Sequence, residues 1–177
     1  MNLPTNSSSY NIVKATKVDK KDILRFYKSQ RYAARYIGQD QCYFIKMNDT
    51  IVACAMISAG QENGQFWLLH ALVIDTQYRG NGLASKLIQT LISQQEKSNR
   101  STSLMHEGEL ATYPNIICFA DTQLKPFYIS NGFTLHNTNE DIQQLPNEFQ
   151  QRLLRYQEKQ NNLCCFLHCS KVNASSL

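Results

Sequence analysis

The sequence predicts an α/β fold in which helices flank a mixed β-sheet. An apolar run rich in branched side chains at 68–74 is typical of a strand buried on both faces. A polar turn with two glycines follows it, and from Leu83 apolar residues recur at helical spacing. Upstream, two apolar segments are joined by Asn48-Asp49, which is typical of a β-hairpin. Strands joined by short turns, together with a strand–turn–helix unit, imply a mixed sheet.

The length and composition are those of one globular domain, which we expect to span residues 1–177. Hydrophobic residues make up 42% of the chain, and the net charge of +4 is small, with scattered basic residues. This charge does not suggest a nucleic-acid partner, although it is compatible with an anionic cofactor. The first nine residues contain no apolar signal region, and no stretch approaches the roughly 20 apolar residues of a membrane span. We therefore expect a cytoplasmic protein with no membrane partner.

Neither a disulfide framework nor a metal site is expected. Six cysteines lie mostly within apolar segments and include no Cys-x-x-Cys pair, so we expect buried reduced thiols: Cys42, Cys54, Cys118, Cys164, Cys165 and Cys169. His106, Glu107 and Glu109 occur together in a polar loop and have the chemistry of metal ligands. Such loop residues are far more often solvated, so no metal is predicted.

The first half of the chain predicts strands and two helices around the hairpin. Residues 10–18 predict a strand, and Asp19 is a candidate N-cap for the helix that follows. A second helical segment is expected at 30–37, where Gly38 would end it. The hairpin strands are expected at 41–46 and 50–58.

In the second half, the helix that begins at Leu83 is expected to fade near Ser98, before a polar loop. A short buried strand is expected at 116–120. Thr122 is a candidate N-cap for a short helix that tolerates Pro126 in its first turn. Asn131-Gly132 would end this helix, and Phe133 would open another strand.

The glycine turn at 79–85 predicts an anion site, because glycines expose the unpaired N–H groups at a helix N-terminus. A P-loop is excluded because Gly82 is followed by Leu83-Ala84 instead of Lys-Ser/Thr. A dinucleotide fingerprint is disfavoured because residues 75–79 separate the strand from the glycines. The remaining pattern is Arg-x-x-Gly-x-Ala, formed by Arg79, Gly82 and Ala84.

This pattern resembles motif A of the GNAT superfamily of acyl-CoA-dependent N-acetyltransferases. A second pattern, Phe127-Tyr128 with Gly132-Phe133, is similar to motif B of the same superfamily and lies at the expected distance from the first. The resemblance covers residues 10–136 and a final strand at 163–172. It implies a twisted, mostly antiparallel mixed sheet of about seven strands. A helical insertion at about 137–160 departs from the plain hairpin that the superfamily usually has there.

The resemblance implies acetyl-CoA as the acyl donor. Backbone N–H groups of the glycine turn would hold the CoA pyrophosphate, and the splayed end of the central strand would pair with the pantetheine amides like an added strand. Asp121 stands where many members have an asparagine that binds the pantetheine arm. The cofactor-binding candidates are therefore Leu72, Val73, Ile74, Arg79, Gly80, Asn81, Gly82, Leu83, Ala84, Ser85 and Asp121.

Two residues are candidates for proton transfer. An amine with a pKa of about 10 must lose a proton before it attacks the thioester, and the thiolate that leaves benefits from a proton donor. In the superfamily, the tyrosine at the position of Tyr128 points at the thioester sulfur, so Tyr128 is the expected general acid. The segment His70-Ala71-Leu72 before the turn is similar to the corresponding segment of the arylalkylamine N-acetyltransferases. In those enzymes a histidine at this place helps to deprotonate the amine through water. The structural alternatives are a packing tyrosine and a histidine hydrogen-bonded within its strand.

Nothing in the sequence identifies the acceptor beyond a primary amine. Candidate pocket residues lie in the second predicted helix, where a solvated helix face explains them equally well: Arg31, Tyr32, Arg35 and Tyr36. The expected function is direct acetyl transfer from acetyl-CoA to an amine. The alternatives are a non-catalytic acyl-CoA-binding regulatory module, and an acetyltransferase that acts on protein lysines or N-termini.

Overall fold

The computed structural model describes residues 10–34, 40–61, 65–102 and 115–169. Single turns of 3-10 helix precede α1, α2 and α3 at Lys17–Asp19, Thr76–Tyr78 and Thr122–Leu124. The main elements, in chain order, are β1 (Ile12–Lys14), α1 (Lys20–Ser29), β2 (Gln41–Met47), β3 (Thr50–Ala59), β4 (Phe66–Ile74), α2 (Leu83–Thr102), β5 (Asn115–Asp121), α3 (Lys125–Ser130), β6 (Thr134–His136), α4 (Asn139–Gln143), α5 (Asn147–Gln157) and β7 (Leu163–His168).

Within the described ranges, seven strands form one sheet in the order β1-β2-β3-β4-β5-β7-β6. Each neighbouring pair is antiparallel except β4 and β5, which are parallel. The predicted hairpin is confirmed: Asn48 and Asp49 have φ values of 47° and 61°, the positive angles that a two-residue hairpin turn needs. The sheet is therefore mixed and mostly antiparallel, as the sequence predicted.

Helices cover both faces of the sheet. On one face, α2 and α3 bury Leu87, Leu91 and Tyr128 against the central strands. On the other face, α1 packs on β2 and β3, while Phe149 and Leu153 of α5 pack on β4, β5 and β7. The helical insertion thus packs on the same sheet as α1. In the part of the chain described here, no helix is long and apolar enough to cross a membrane.

The second helix expected at 30–37 is not present at 30–34, and residues 35–39 lie outside the described ranges. α1 ends at Ser29 because the backbone closes a Schellman motif. The N–H of Arg31 donates to the Lys28 carbonyl, and the N–H of Tyr32 donates to the Tyr27 carbonyl. Arg31 has a φ of 55° at the position where glycine usually ends a helix, so the local sequence did not mark this end.

Other boundaries also differ from the predictions. β1 covers only Ile12–Lys14 of the expected 10–18, since a 3-10 turn begins at Lys17. α2 continues beyond Ser98 to Thr102. The insertion forms two helices, because Pro146 directly precedes α5 and cannot continue α4. The Asp121 carboxylate, and not Thr122, accepts the N–H of Gln123 and so caps the turn before α3.

The cysteines are free thiols, as expected, although Cys164 is only partly buried and Cys169 is exposed.

Candidate active site

The central strand β4 carries a bulge at the position where the site begins. Cys54 of β3 pairs with Val73, and Met56 pairs with His70, so β4 has one extra residue between these pairs. Ala71 lies in this bulge with a φ of 52°, a left-handed conformation that is rare for alanine. The buried Tyr27 hydroxyl donates to the Ala71 carbonyl at 2.7 Å and stabilises the bulge. Backbone strain of this kind is common at functional sites.

Beyond the bulge, β4 and β5 separate. Their parallel pairing extends from Phe66 and Asn115 only to Leu69 and Cys118. β4 continues to Ile74 on the β3 side, and β5 continues to Asp121 on the β7 side. Within the described residues, the edges of β4 and β5 that face each other therefore have no strand partner past this point. An extended ligand can hydrogen-bond to this open edge as an added strand.

The glycine turn lies directly after this open edge. Gly80 and Gly82 have φ values of 79° and 73°, and a Cβ built on either residue meets no atom within 4 Å. The first helical hydrogen bond of α2 runs from the Lys86 N–H to the Gly82 carbonyl. Among the described residues, the N–H groups of Leu83, Ala84 and Ser85 have no hydrogen-bond acceptor. Such donors and the helix dipole are typical of anion sites at helix N-termini.

Arg79 and Asn81 brace the turn. The Arg79 Nε–H donates to the Ile74 carbonyl at 3.3 Å, which ties the turn to the end of β4. The Asn81 side-chain amide donates to the carbonyls of Tyr78 and Arg79 at 3.1 and 3.4 Å. Both side chains stabilise the loop conformation that leaves the helix N–H groups open.

Tyr128 lies at the fork where β4 and β5 separate. It is 4% exposed, and its ring stacks on Phe166 with a centroid distance of 4.7 Å. The Cys118 thiol donates to the Tyr128 hydroxyl at 3.1 Å, and Cys118 is the last β5 residue paired with β4. Burial raises the pKa of Tyr128, so the phenol stays protonated at neutral pH. Burial also raises the pKa of the Cys118 thiol, to about 12.

The Asp121 carboxylate is engaged within the protein. It accepts the Gln123 N–H at 2.8 Å, and it accepts a hydrogen bond from the Asn162 side-chain amide. These contacts join the end of β5 to the turn that precedes β7.

A cleft of about 820 Å³ opens on the face of the sheet that α1 and α5 cover. It lies between these helices, beside the bulge. The lining consists of residues 32–34, residues 68–71 of β4, Phe119 of β5, and Tyr156, Lys159, Gln160 and Leu163 around the end of α5. Its walls are thus largely apolar and aromatic, and its floor contains His70.

His70 is held by two polar side chains from other segments. Its Nε2 lies 2.8 Å from the Ser58 Oγ and 3.5 Å from Asp40 Oδ1. Ser58 in turn donates to Asp40. Burial lowers the pKa of His70, Asp40 raises it, and the positive charge of Arg152 on α5 lowers it. The net shift is downward, so the imidazole is neutral at pH 7 and can accept a proton.

The predicted acceptor residues are only partly brought to this cleft. Tyr32 lines it, whereas Arg31 lies in the exposed turn after α1 and does not. Arg35 and Tyr36 lie outside the described residues.

Sequence reasoning missed Asp40 and Ser58, which contact His70. It also missed the place of Cys118 beside Tyr128. One signal was available for Ser58, because it is a polar residue at the end of an apolar strand. In the described part of the chain, no group of three or more potential metal ligands occurs. His106, Glu107 and Glu109 lie outside that part.

These features define an α/β protein in which two diverging strands and a helix N-terminus leave backbone hydrogen-bonding groups open at one place. Residues 38–135 match the family model of the acetyltransferase (GNAT) domain. The match covers more than half of the 177 residues, so the chain belongs to the GNAT acetyltransferase family. A comparison of the sequence with curated proteins found no significant match.

Solved structures share the fold. N-acetylglutamate synthase from Neisseria gonorrhoeae, complexed with coenzyme A and N-acetyl-glutamate, matches with a TM-score of 0.64 at 12% identity over 93% of this chain. This chain spans 36% of that enzyme's length. A GNAT-family acetyltransferase from Staphylococcus aureus Mu50 matches with a TM-score of 0.60 at 16% identity, covering 92% and 100% of the two chains. Arabidopsis thaliana Naa50, in complex with the bisubstrate analogue CoA-Ac-MVNAL, matches with a TM-score of 0.59 at 14% identity, covering 92% and 99%.

Proposed function

We propose that this chain transfers the acetyl group of acetyl-CoA to a primary amine by direct attack. The observation that supports this most strongly is the open edge of β4 beside the unpaired N–H groups of α2. CoA has the matching chemistry, since its pantetheine arm contains amides and its pyrophosphate is an anion. The N-acetylglutamate synthase and Naa50 structures contain CoA or a CoA analogue, which supports the same cofactor here.

In this proposal, the backbone of Leu72, Val73 and Ile74 pairs with the pantetheine amides. The N–H groups from Gly80 to Ser85 hold the pyrophosphate, and the positive charge of Arg79 lies beside it. Asp121 is the remaining proposed contact to the arm, since its carboxylate has acceptor sites beyond those used by Asn162 and the Gln123 amide.

Tyr128 is the proposed general acid. The tyrosine oxygen can accept from the Cys118 thiol, and in that arrangement the phenolic hydrogen stays available for the departing sulfur. Because burial raises its pKa, the phenol does not ionise before the sulfur needs the proton. The position at the fork of β4 and β5 supports this role, since the open edge proposed for the pantetheine arm begins there.

His70 is the proposed base, and the cleft above it is the proposed acceptor pocket. The amine nitrogen attacks the thioester carbonyl, a C–N bond forms, and the C–S bond breaks. The thiolate takes a proton from Tyr128, and the nitrogen gives a proton to His70, directly or through a water molecule. Apolar walls around this floor favour the neutral amine over its ammonium form.

The proposal is tested by incubating the protein with acetyl-CoA and a panel of amines, and by measuring free thiol and acetylated product. The panel contains amino acids, aryl- and alkylamines, and peptides with free N-termini or lysines. We expect amine-dependent thiol release that falls strongly in Tyr128→Phe. CoA binding without thiol release for any amine would contradict the proposal and favour a regulatory CoA-binding module. Turnover of peptides alone would identify a protein acetyltransferase.

A further inference from the structure

Ser58 lies between His70 and Asp40 and connects them through one hydroxyl group. These three residues come from β3, from β4 and from the position just before β2, so the sheet register brings them together. The His70 side chain is 20% exposed and lines the cleft, whereas the Asp40 side chain is 0% exposed. Burying a carboxylate is costly unless it is hydrogen-bonded, so the contact of Asp40 with Ser58 and His70 is not a chance surface contact.

The hydrogens that Asp40, Ser58 and His70 can donate fix the direction of the hydrogen bonds between them. A carboxylate has only acceptor oxygens, and a serine hydroxyl has one hydrogen to donate. Ser58 donates that hydrogen to Asp40, so its oxygen accepts from His70. Neutral His70 therefore has its hydrogen on Nε2 and its lone pair on Nδ1. Both described polar contacts of His70 use Nε2, so Nδ1 has no partner among the described residues. Nδ1 is also not one of the buried atoms that lack a partner, so it is accessible, and His70 lines the cleft.

We infer that Ser58 and Asp40 are positioning residues that hold His70 as its Nε2–H tautomer, with Nδ1 as the atom that accepts the proton. The tautomer assignment stands on geometry alone. That the proton accepted at Nδ1 comes from the attacking amine rests on the proposed function. In that step the N–H bond of the attacking nitrogen breaks and a new N–H bond forms at Nδ1. The Asp40 carboxylate then faces an imidazolium, and neither Ser58 nor Asp40 changes its protonation.

Charged and titratable groups from several elements face His70. Asp40 favours the imidazolium, and Arg152 of α5 opposes it. Tyr32, Tyr156 and Lys159 line the same cleft. Removing the charge of Asp40 should therefore lower the pKa of His70, which makes it a weaker base.

The tautomer is tested directly by ¹⁵N NMR of the histidine side chains in the intact protein, above the pKa of His70. His70 is assigned by the signals that disappear in His70→Gln. We expect a protonated Nε2 and an unprotonated Nδ1. The opposite tautomer, or an equal mixture of both, would overturn the inference whether or not the protein has transferase activity. An inactive protein with the expected tautomer would contradict the proposed function and leave the tautomer assignment standing.

Variants then connect the tautomer to turnover. Ser58→Ala removes the bridge, and we expect a mixture of tautomers with a kcat lower by on the order of 10- to 100-fold. Ser58→Thr keeps the hydroxyl and should keep the tautomer and most of the turnover. Asp40→Asn should lower the pKa of His70, which moves the acid limb of the kcat/KM profile to lower pH and lowers its plateau. Near-UV circular dichroism checks that each variant is folded. A folded Ser58→Ala with wild-type tautomer and turnover would overturn the inference.

Discussion

Gly82→Asp tests the proposed pyrophosphate site with little disturbance of the free protein. A Cβ at this position meets no atom within 4 Å, so the new side chain has room in the absence of ligand. Gly82 has a φ of 73°, and aspartate is among the residues that tolerate the left-handed region best. We expect a strain of about 1 kcal/mol, which a folded domain usually survives.

The bound anion would meet a very different environment in this variant. A carboxylate about 4 Å from one phosphate charge costs about 1 kcal/mol at the dielectric constant of water and about 4 kcal/mol at an effective value of 20. The expected loss of CoA affinity is therefore about fivefold to about 1000-fold. Part of this loss should shrink as salt screens the charges.

Calorimetric titration with CoA measures this loss, and Gln77→Asp is the matched control. Gln77 is exposed in the 3-10 turn before the glycines, so the control adds the same charge outside the anion site. We expect near wild-type affinity in the control and weak binding in Gly82→Asp. A folded Gly82→Asp protein that binds CoA as tightly as the control would refute the reasoning.

Three further predictions concern the acid, the base and the core. Tyr128→Phe should lower kcat by on the order of 10²-fold with an unchanged Kd for acetyl-CoA, because the proton is needed only as charge builds on sulfur; equal losses in both constants, measured by steady-state kinetics and calorimetry, would make Tyr128 a binding residue. Arg152→Gln should raise the pKa of His70, because the positive charge of Arg152 lowers that pKa. The acid limb of the kcat/KM profile should therefore move to higher pH. Arg155→Gln is the control, and equal profiles for the two variants would argue against the Arg152 effect. Phe149→Ala should destabilise the fold by about 3–5 kcal/mol in urea unfolding, because this side chain is 1% exposed; Leu154→Ala, at a position 55% exposed, should cost far less, and similar losses would contradict the packing of α5.

The glycine turn and its flanking elements were predictable because their signals are local. Burial on both faces gives β4 an apolar run that only His70 interrupts, and the change to helical spacing marks α2. Gly80 and Gly82 adopt the positive φ values that their residue type suggests. The glycine-turn pattern and the Phe127-Tyr128 pattern occur in the order typical of the GNAT superfamily, and this resemblance predicted the sheet and its approximate number of strands.

The bulge in β4 and the end of α1 could not be predicted, since ordinary residues adopt unusual conformations there. Ala71 and Arg31 both have positive φ values, and neither residue type signals them. Tertiary contacts stabilise the first of these, because the Tyr27 hydroxyl binds the Ala71 carbonyl from a distant helix. In such cases the environment overrides the local preference.

The partners of His70 are a second feature that the sequence could not predict. Ser58 and Asp40 reach it only through the register of three strands, in which Met56 pairs with both Cys42 and His70. No spacing in the sequence encodes this contact. His70 itself was found through the family pattern, whereas the residues that orient it required the structure.

A crystal structure of the protein with CoA would test the central claim most directly. The account predicts the pyrophosphate on the N–H groups of residues 80–85 and the pantetheine arm along 72–74. It also predicts the sulfur within hydrogen-bond distance of the Tyr128 hydroxyl. A cofactor bound elsewhere, or bound here with its sulfur away from both Tyr128 and the His70 cleft, would contradict the account.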